Sequence, residues 1–176
     1  MHNLTIIMSA MQKTYKSVWK AHIALTQTMS LQYFILPVAL YASECWAPSK
    51  ADLALLDALD QWHLRRIMGI TWRDHIMNTE VQSHTDQLAV SETIRHRRLA
   101  MLGHVSRMPP SADAYRAVYQ HPYRRPGRPR QTWLATIRRE LQLLDIELDD
   151  VPDLAADRAL WRGLTLGTTH HSGAYS

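Results

Sequence analysis

Apolar residues in this chain recur at steps of three and four, and stretches that alternate apolar with polar residues are nearly absent. A half-buried strand covers every second side chain and a helix every third or fourth, so the spacing predicts an all-α fold. Leu4, Met8, Met11, Tyr15 and Val18 share one helical face; Met29, Tyr33, Leu36 and Leu40 repeat it, with Pro37 bending or ending that helix near its last turn. Ser49 and Asp52, just after Pro48, have the spacing of a capping box and open a helix through Leu53, Leu56, Leu59 and Ile67, which Gly69 is suited to stop. Residues 70–90 are less periodic and read as a connection with a short helix near Asn78 to His84. Ser91 is the expected cap of a helix carrying Ile94, Met101, Leu102, Val105 and Met108, which ends before Pro109-Pro110. Trp133, Ile137, Leu141 and Leu144 mark a further amphipathic helix, and a short one follows from Pro152 to Trp161.

Breaks in this pattern divide the chain. Five of the eight prolines lie within residues 109–130, together with Gly127, which predicts a loop or linker there. The expected organisation is a helical bundle over residues 1–90, a basic helical region over 91–162, and an aperiodic, disordered tail over 163–176. Apolar residues make up 46% and charged residues 20%, enough apolar material for a packed core. Cys45 is the single cysteine, which excludes an internal disulfide and a cysteine-rich zinc site and points to a reducing, intracellular compartment, cytoplasmic or nuclear. The N-terminus lacks the basic region of a signal peptide, and the longest apolar run, Leu31 to Ala42, falls short of the roughly 20 residues that span a bilayer. No membrane partner is expected.

The net charge of +4 is unevenly spread. Residues 1–90 are neutral; residues 91–139 carry eleven arginines against Glu92 and Asp113, a net +9; residues 140–176 carry seven acids against Arg158 and Arg162, a net −5. A block of arginines with so few acids is the electrostatic footprint of a nucleic-acid backbone, because the planar guanidinium matches phosphate. The competing reading is that the block docks on the chain's own acidic end.

Catalytic chemistry is not visible. The adjacent carboxylates Asp149-Asp150 precede Pro152 in a helix-capping context, and no second acidic pair stands ready for a two-metal site. A serine-hydrolase elbow, a phosphate-cradling glycine loop and a His-Glu-x-x-His helix are missing, and none of the ten histidines pairs with another at i, i+4. The expectation is a non-enzyme with no metal and no cofactor. Each of the six tryptophans is expected in the core, with base stacking the alternative. Arg98 falls in the middle of an apolar helix face and needs an acidic partner. That acid is expected from the 140–157 segment, with Asp145, Glu147, Asp150, Asp153 and Asp157 the candidates, locking the C-terminal helix onto the basic region.

A series of short strings also resembles a known family. These are Leu40-Tyr41-Ala42-Ser43-Glu44-Cys45-Trp46; Arg65-Arg66-Ile67-Met68-Gly69-Ile70 with Trp72-Arg73-Asp74; Asn78-Thr79-Glu80-Val81; Arg97-Arg98-Leu99; Gly103-His104-Val105-Ser106-Arg107-Met108; Gly127-Arg128-Pro129; and Ala156-Asp157-Arg158 before Trp161-Arg162. Together, over residues 5–165, they resemble the region after the catalytic palm in reverse transcriptases of non-LTR (LINE-like) retrotransposons. The resemblance implies a thumb up to about residue 90 and a template-contacting C-terminal extension after it. The partners it implies are an RNA template, a primer–template duplex and an upstream palm. The family's Phe/Tyr-Ala-Asp-Asp motif would lie upstream of Met1, and the Cys/His knuckle of some relatives is missing here, so the chain resembles a fragment that cannot polymerise alone.

The expected function is therefore a non-catalytic, nucleic-acid-binding fragment of an RNA-directed DNA polymerase. The alternatives are a self-standing helical DNA-binding regulator and a protein-interaction module with a basic face. The expected contacts are Arg124, Arg125, Arg128 and Arg130 of the proline-stiffened segment with Tyr123 as a stacking surface, then Arg95, Arg97 and Arg107.

Overall fold

A computed structural model of the chain describes residues 36–85, 87–120 and 132–167, and these are all-α, as the periodicity predicts. They fall into two units: residues 36–42 and 57–89 in the first, residues 43–56 and 90–167 in the second. The division lies inside helix α1 (Lys50–Ile67), so residues 43–56, expected in the first lobe, belong to the second. Among the described residues, no helix is long and apolar enough to cross a membrane.

Both ends of α1 follow from local chemistry. The Ser49 N–H and hydroxyl donate to Asp52 Oδ2 at 2.9 and 2.7 Å, and the Asp52 N–H donates back to Ser49 Oγ at 3.2 Å, a closed capping box. These bonds hold the Asp52 carboxyl below the usual carboxylate range. At the other end Gly69 adopts φ +69°, and the N–H groups of Gly69 and Ile70 donate back to the Arg66 and Arg65 carbonyls, a Schellman stop that favours glycine.

In the first unit, residues 36–39 are helical; the earlier periodic segments lie outside the described residues. Helix α2 (Asn78–Thr85) is one residue longer than expected. Arg65 ties it to the end of α1, its Nη2 donating to the Ile76 carbonyl at 2.6 Å and to Asn78 Oδ1 at 2.8 Å. Leu64, Ile67 and Val81 are buried, as is His63 on the same stretch of α1.

The second unit is arranged around helix α3 (Val90–Ser106). Against it pack a 3-10 turn (Ser43–Cys45), α4 (Asp113–Tyr119), α5 (Trp133–Gln142), α6 (Val151–Ala156) and α7 (Arg158–Gly167). Leu99, Leu102, Val105, Val118, Leu134, Ile137, Leu141, Val151, Ala155 and Trp161 form its core. Because α3 is covered on several sides, its apolar stripe is broad and interrupted rather than a single clean face. Helix α5 shows the opposite pattern: Thr132 caps it, Leu134, Ile137 and Leu141 point inward, and Arg138 and Arg139 stay exposed.

Several boundaries depart from the sequence expectation. Helix α3 starts at Val90, so Ser91 is inside it rather than at its cap. Within residues 109–130, expected as loop, α4 forms because residues 111–121 have neither proline nor glycine and offer Tyr115, Val118 and Tyr119 on one side. The stretch 152–161 is two helices broken at Asp157, whose extended backbone lets its Oδ1 accept from the Ala159 and Leu160 N–H groups. Helix α7 then continues to Gly167, past the expected start of the disordered tail, because Thr165 continues the buried face begun at Trp161. The tryptophans also divide. Trp161 is core at 4% exposure and Trp46 and Trp133 are half-buried, but Trp62 (47%) and Trp72 (79%) are exposed. Arg66 lies over the Trp62 ring and Arg73 over the Trp72 ring, at 5.5 and 5.4 Å, so a cation supplies part of the contact that a core would.

Helices α3 and α7 approach closely at Gly103. A Cβ there would lie 2.6 Å from Trp161 Cδ1 and 3.0 Å from Cε2, while the indole N–H is held by the Leu99 carbonyl at 3.1 Å. The ring cannot retreat without losing that bond. Gly103→Ala gains up to about 1 kcal/mol of helix propensity and meets an overpacking cost of about 1–3 kcal/mol. Chemical denaturation is expected to show a net loss of stability, removed in the background of Trp161→Leu.

Burial pushes the His63 imidazole down to about 4, from 6.5. The unfolded chain therefore takes up a proton at His63 between those values while the folded chain does not. The contribution is complete above about pH 6.5 and is lost as pH falls toward 4, by up to about 3 kcal/mol. Unfolding free energies measured from pH 7 to 4 are expected to fall more steeply for the native chain than for His63→Leu.

Candidate nucleic-acid interface

The site grows out of one run on α3, Glu92 to Arg98. Successive side chains on a helix turn by about 100°, so the basic residues Arg95, His96, Arg97 and Arg98 cannot share a direction. Arg98 turns inward and has no solvent exposure. Its guanidinium forks onto Glu140 of α5, with Nε donating to Oε2 at 3.1 Å and Nη2 to Oε1, and its Nη1 donates to the Trp46 carbonyl at 3.3 Å. Burial pushes the Glu140 carboxyl up, and the Arg98 fork opposes the rise. Arg95 leans back along α3 to Glu92 at 3.4 Å and is largely covered.

The remaining two face a groove between α3 and α7. Its volume is about 430 Å³, and its walls carry His96, Arg97, Ala100 and Arg107 from α3 and its C-terminal edge, and Arg158, Trp161, Arg162, Thr165 and Leu166 from α7. Helix α7 presents Arg158 and Arg162 one turn apart because Trp161, between them, is drawn into the core. Asp157 sets the start of that helix. Arg107 is oriented by its Nη1, which donates to the Ala155 carbonyl at 2.9 Å. Four guanidinium groups thus meet in one groove with no carboxylate among its lining residues. Arg158 and Arg162 are exposed and form no ion pair with another described residue. Burial, helped by Arg95, pushes the His96 imidazole down against the pull of Glu92, and its Nε2 is buried with no hydrogen-bond partner among the described residues.

Of the residues expected to contact nucleic acid, Arg97 and Arg107 are brought together here, whereas Arg95 is turned aside onto Glu92. Tyr123, Arg124, Arg125, Arg128 and Arg130 lie outside the described residues. Arg158 and Arg162 were missed by the sequence reading, which placed them in an acidic end segment. Their i, i+4 spacing around Trp161 was the available signal. The Arg98 partner is an acid of the 140–157 segment, but it is Glu140 rather than any of the five candidates named above. Glu140 follows Ile137 by three residues on the inner face of α5, so the lock joins α5 to α3, and Trp161 holds the C-terminal helix instead.

Comparison of the chain with protein-family models, with curated proteins and with solved structures returned no match.

Removing one member of a buried pair leaves the other charged in a dry site, at a cost of about 3–5 kcal/mol. Arg98→Ala is expected to lower the unfolding free energy on that scale, and Arg98→Met with Glu140→Leu together to lower it much less. At a temperature where both proteins remain folded, Arg98→Ala is expected to leave nucleic-acid affinity nearly unchanged. A larger loss of affinity than of stability would make Arg98 a phosphate ligand.

Proposed function

We propose that this chain binds nucleic acid through the sugar–phosphate backbone, as a non-catalytic piece of a non-LTR retrotransposon reverse transcriptase that holds template RNA and the primer–template duplex. The observation that carries the binding reading is the convergence of Arg97, Arg107, Arg158 and Arg162 on one groove whose lining residues include no carboxylate. Arginine forks recognise phosphate oxygens regardless of base, which suits a surface that must accept any sequence. The net +9 of residues 91–139 and the ordered series of family-like strings support the same reading. Docking of the basic block on the chain's own acids is less well supported. Arg98 pairs with Glu140, while Asp145, Glu147, Asp149, Asp150 and Asp153 remain exposed.

Fluorescence anisotropy against single-stranded RNA and a primer–template duplex tests this directly. Affinity is expected to fall steeply with salt, with about −0.7 to −0.9 in the log–log slope per neutralised phosphate. Arg158→Ala with Arg162→Ala is expected to flatten the slope by roughly 1–2 without altering sequence preference. Replacing Arg124, Arg125, Arg128 and Arg130 with Ala is expected to flatten it by roughly 2–4. Absence of RNA binding at moderate salt would reject the reading, and a strong preference for one duplex site would replace it with a sequence-reading regulator.

A further inference from the structure

We infer that the groove between α3 and α7 seats one unpaired nucleotide of a single strand, with its base against the apolar wall and its flanking phosphates on the arginines. The inference rests on the backbone-binding reading and adds a ligand to it. A phosphate track alone needs only a line of cations on a convex surface. This groove is a concavity of about 430 Å³, within the roughly 300–1,000 Å³ typical of small-molecule sites.

Its chemistry is divided to match. Ala100 and Leu166 line it together with the arginines and are exposed, Leu166 at 46%, and the buried Trp161 forms its floor. The Trp161 indole N–H is already occupied by the Leu99 carbonyl, so the floor offers a surface and not a donor. Guanidinium planes can stack on a base while their N–H groups reach phosphate, so Arg97, Arg158 and Arg162 suit both parts of a nucleotide. His96 also lines the groove, but its Nε2 is buried, so it adds wall surface rather than a donor or acceptor. A base inside a duplex keeps its faces stacked and its edge paired, so reaching an apolar wall requires an unpaired one.

The test uses the full chain and three labelled octamers in anisotropy titrations at one salt concentration. One is a fully abasic ribose–phosphate chain, one is the same chain with a single uracil at its centre, and one is octauridylate. The single-base octamer is expected to bind roughly tenfold more tightly than the abasic one, the scale of one stacked base. Leu166→Ser, an exposed position whose change leaves the core intact, is expected to reduce that difference to threefold or less while the salt slope stays as in the native chain. Equal binding of the abasic and single-base octamers would overturn the seat and leave the backbone reading standing. An undiminished difference in Leu166→Ser would also overturn it, by placing the base elsewhere. Failure of all three octamers to bind would overturn both readings.

Discussion

The Arg98 guanidinium, enclosed at the centre of the second unit, sets the terms for everything packed around it. A cation with no access to water must have its charge and its N–H groups met by protein, and Glu140 and the Trp46 carbonyl do so from two directions. Those contacts tie α3 to α5 and to the chain just after the Ser43–Cys45 turn. The Trp133 indole repeats the connection, donating to the Glu44 carbonyl at 2.6 Å. This is why residues 43–56 belong with the second unit although 33 residues of chain, 57–89, separate them from the rest of it.

The same constraint orients the surface. With Arg98 pointing in, the helical turn angle places Arg97 about 100° to one side, and Arg107, past the end of α3, reaches the same flank. Helix α7 supplies the opposite wall, and its position depends on Trp161 lying against Gly103. A buried arginine and a buried tryptophan therefore decide where the exposed arginines stand. Neither touches the ligand proposed for the groove through its charge or its N–H, yet each controls the spacing of the groups that do.

Ser106 and Thr165 of this unit are satisfied in the same economical manner. Ser106 donates to the Leu102 carbonyl at 2.8 Å and lies 2.7 Å from the Tyr119 hydroxyl, which can donate to it and so fastens α4 to α3. The hydroxyl of Thr165 is likewise turned onto the Trp161 carbonyl at 3.0 Å. Local and cross-helix bonds of this kind let polar residues occupy a core built from short helices.

Local chemistry alone determined the all-α class, the Ser49–Asp52 cap, the Gly69 stop and the short helix after Asn78, because each depends on residues within a few positions of one another. It also showed that Arg98 needed an acid from the segment beginning at Glu140. Choosing that acid, exposing Trp62 and Trp72, continuing α7 through Gly163 and bringing Arg158 and Arg162 to the flank of Arg97 were decided only by tertiary structure. Each depends on which faces of helices distant in sequence meet, and periodicity reports that a face is apolar without reporting what covers it. The acidic average of residues 140–176 hid the two arginines, since net charge along a sequence does not say which side of a helix its members occupy.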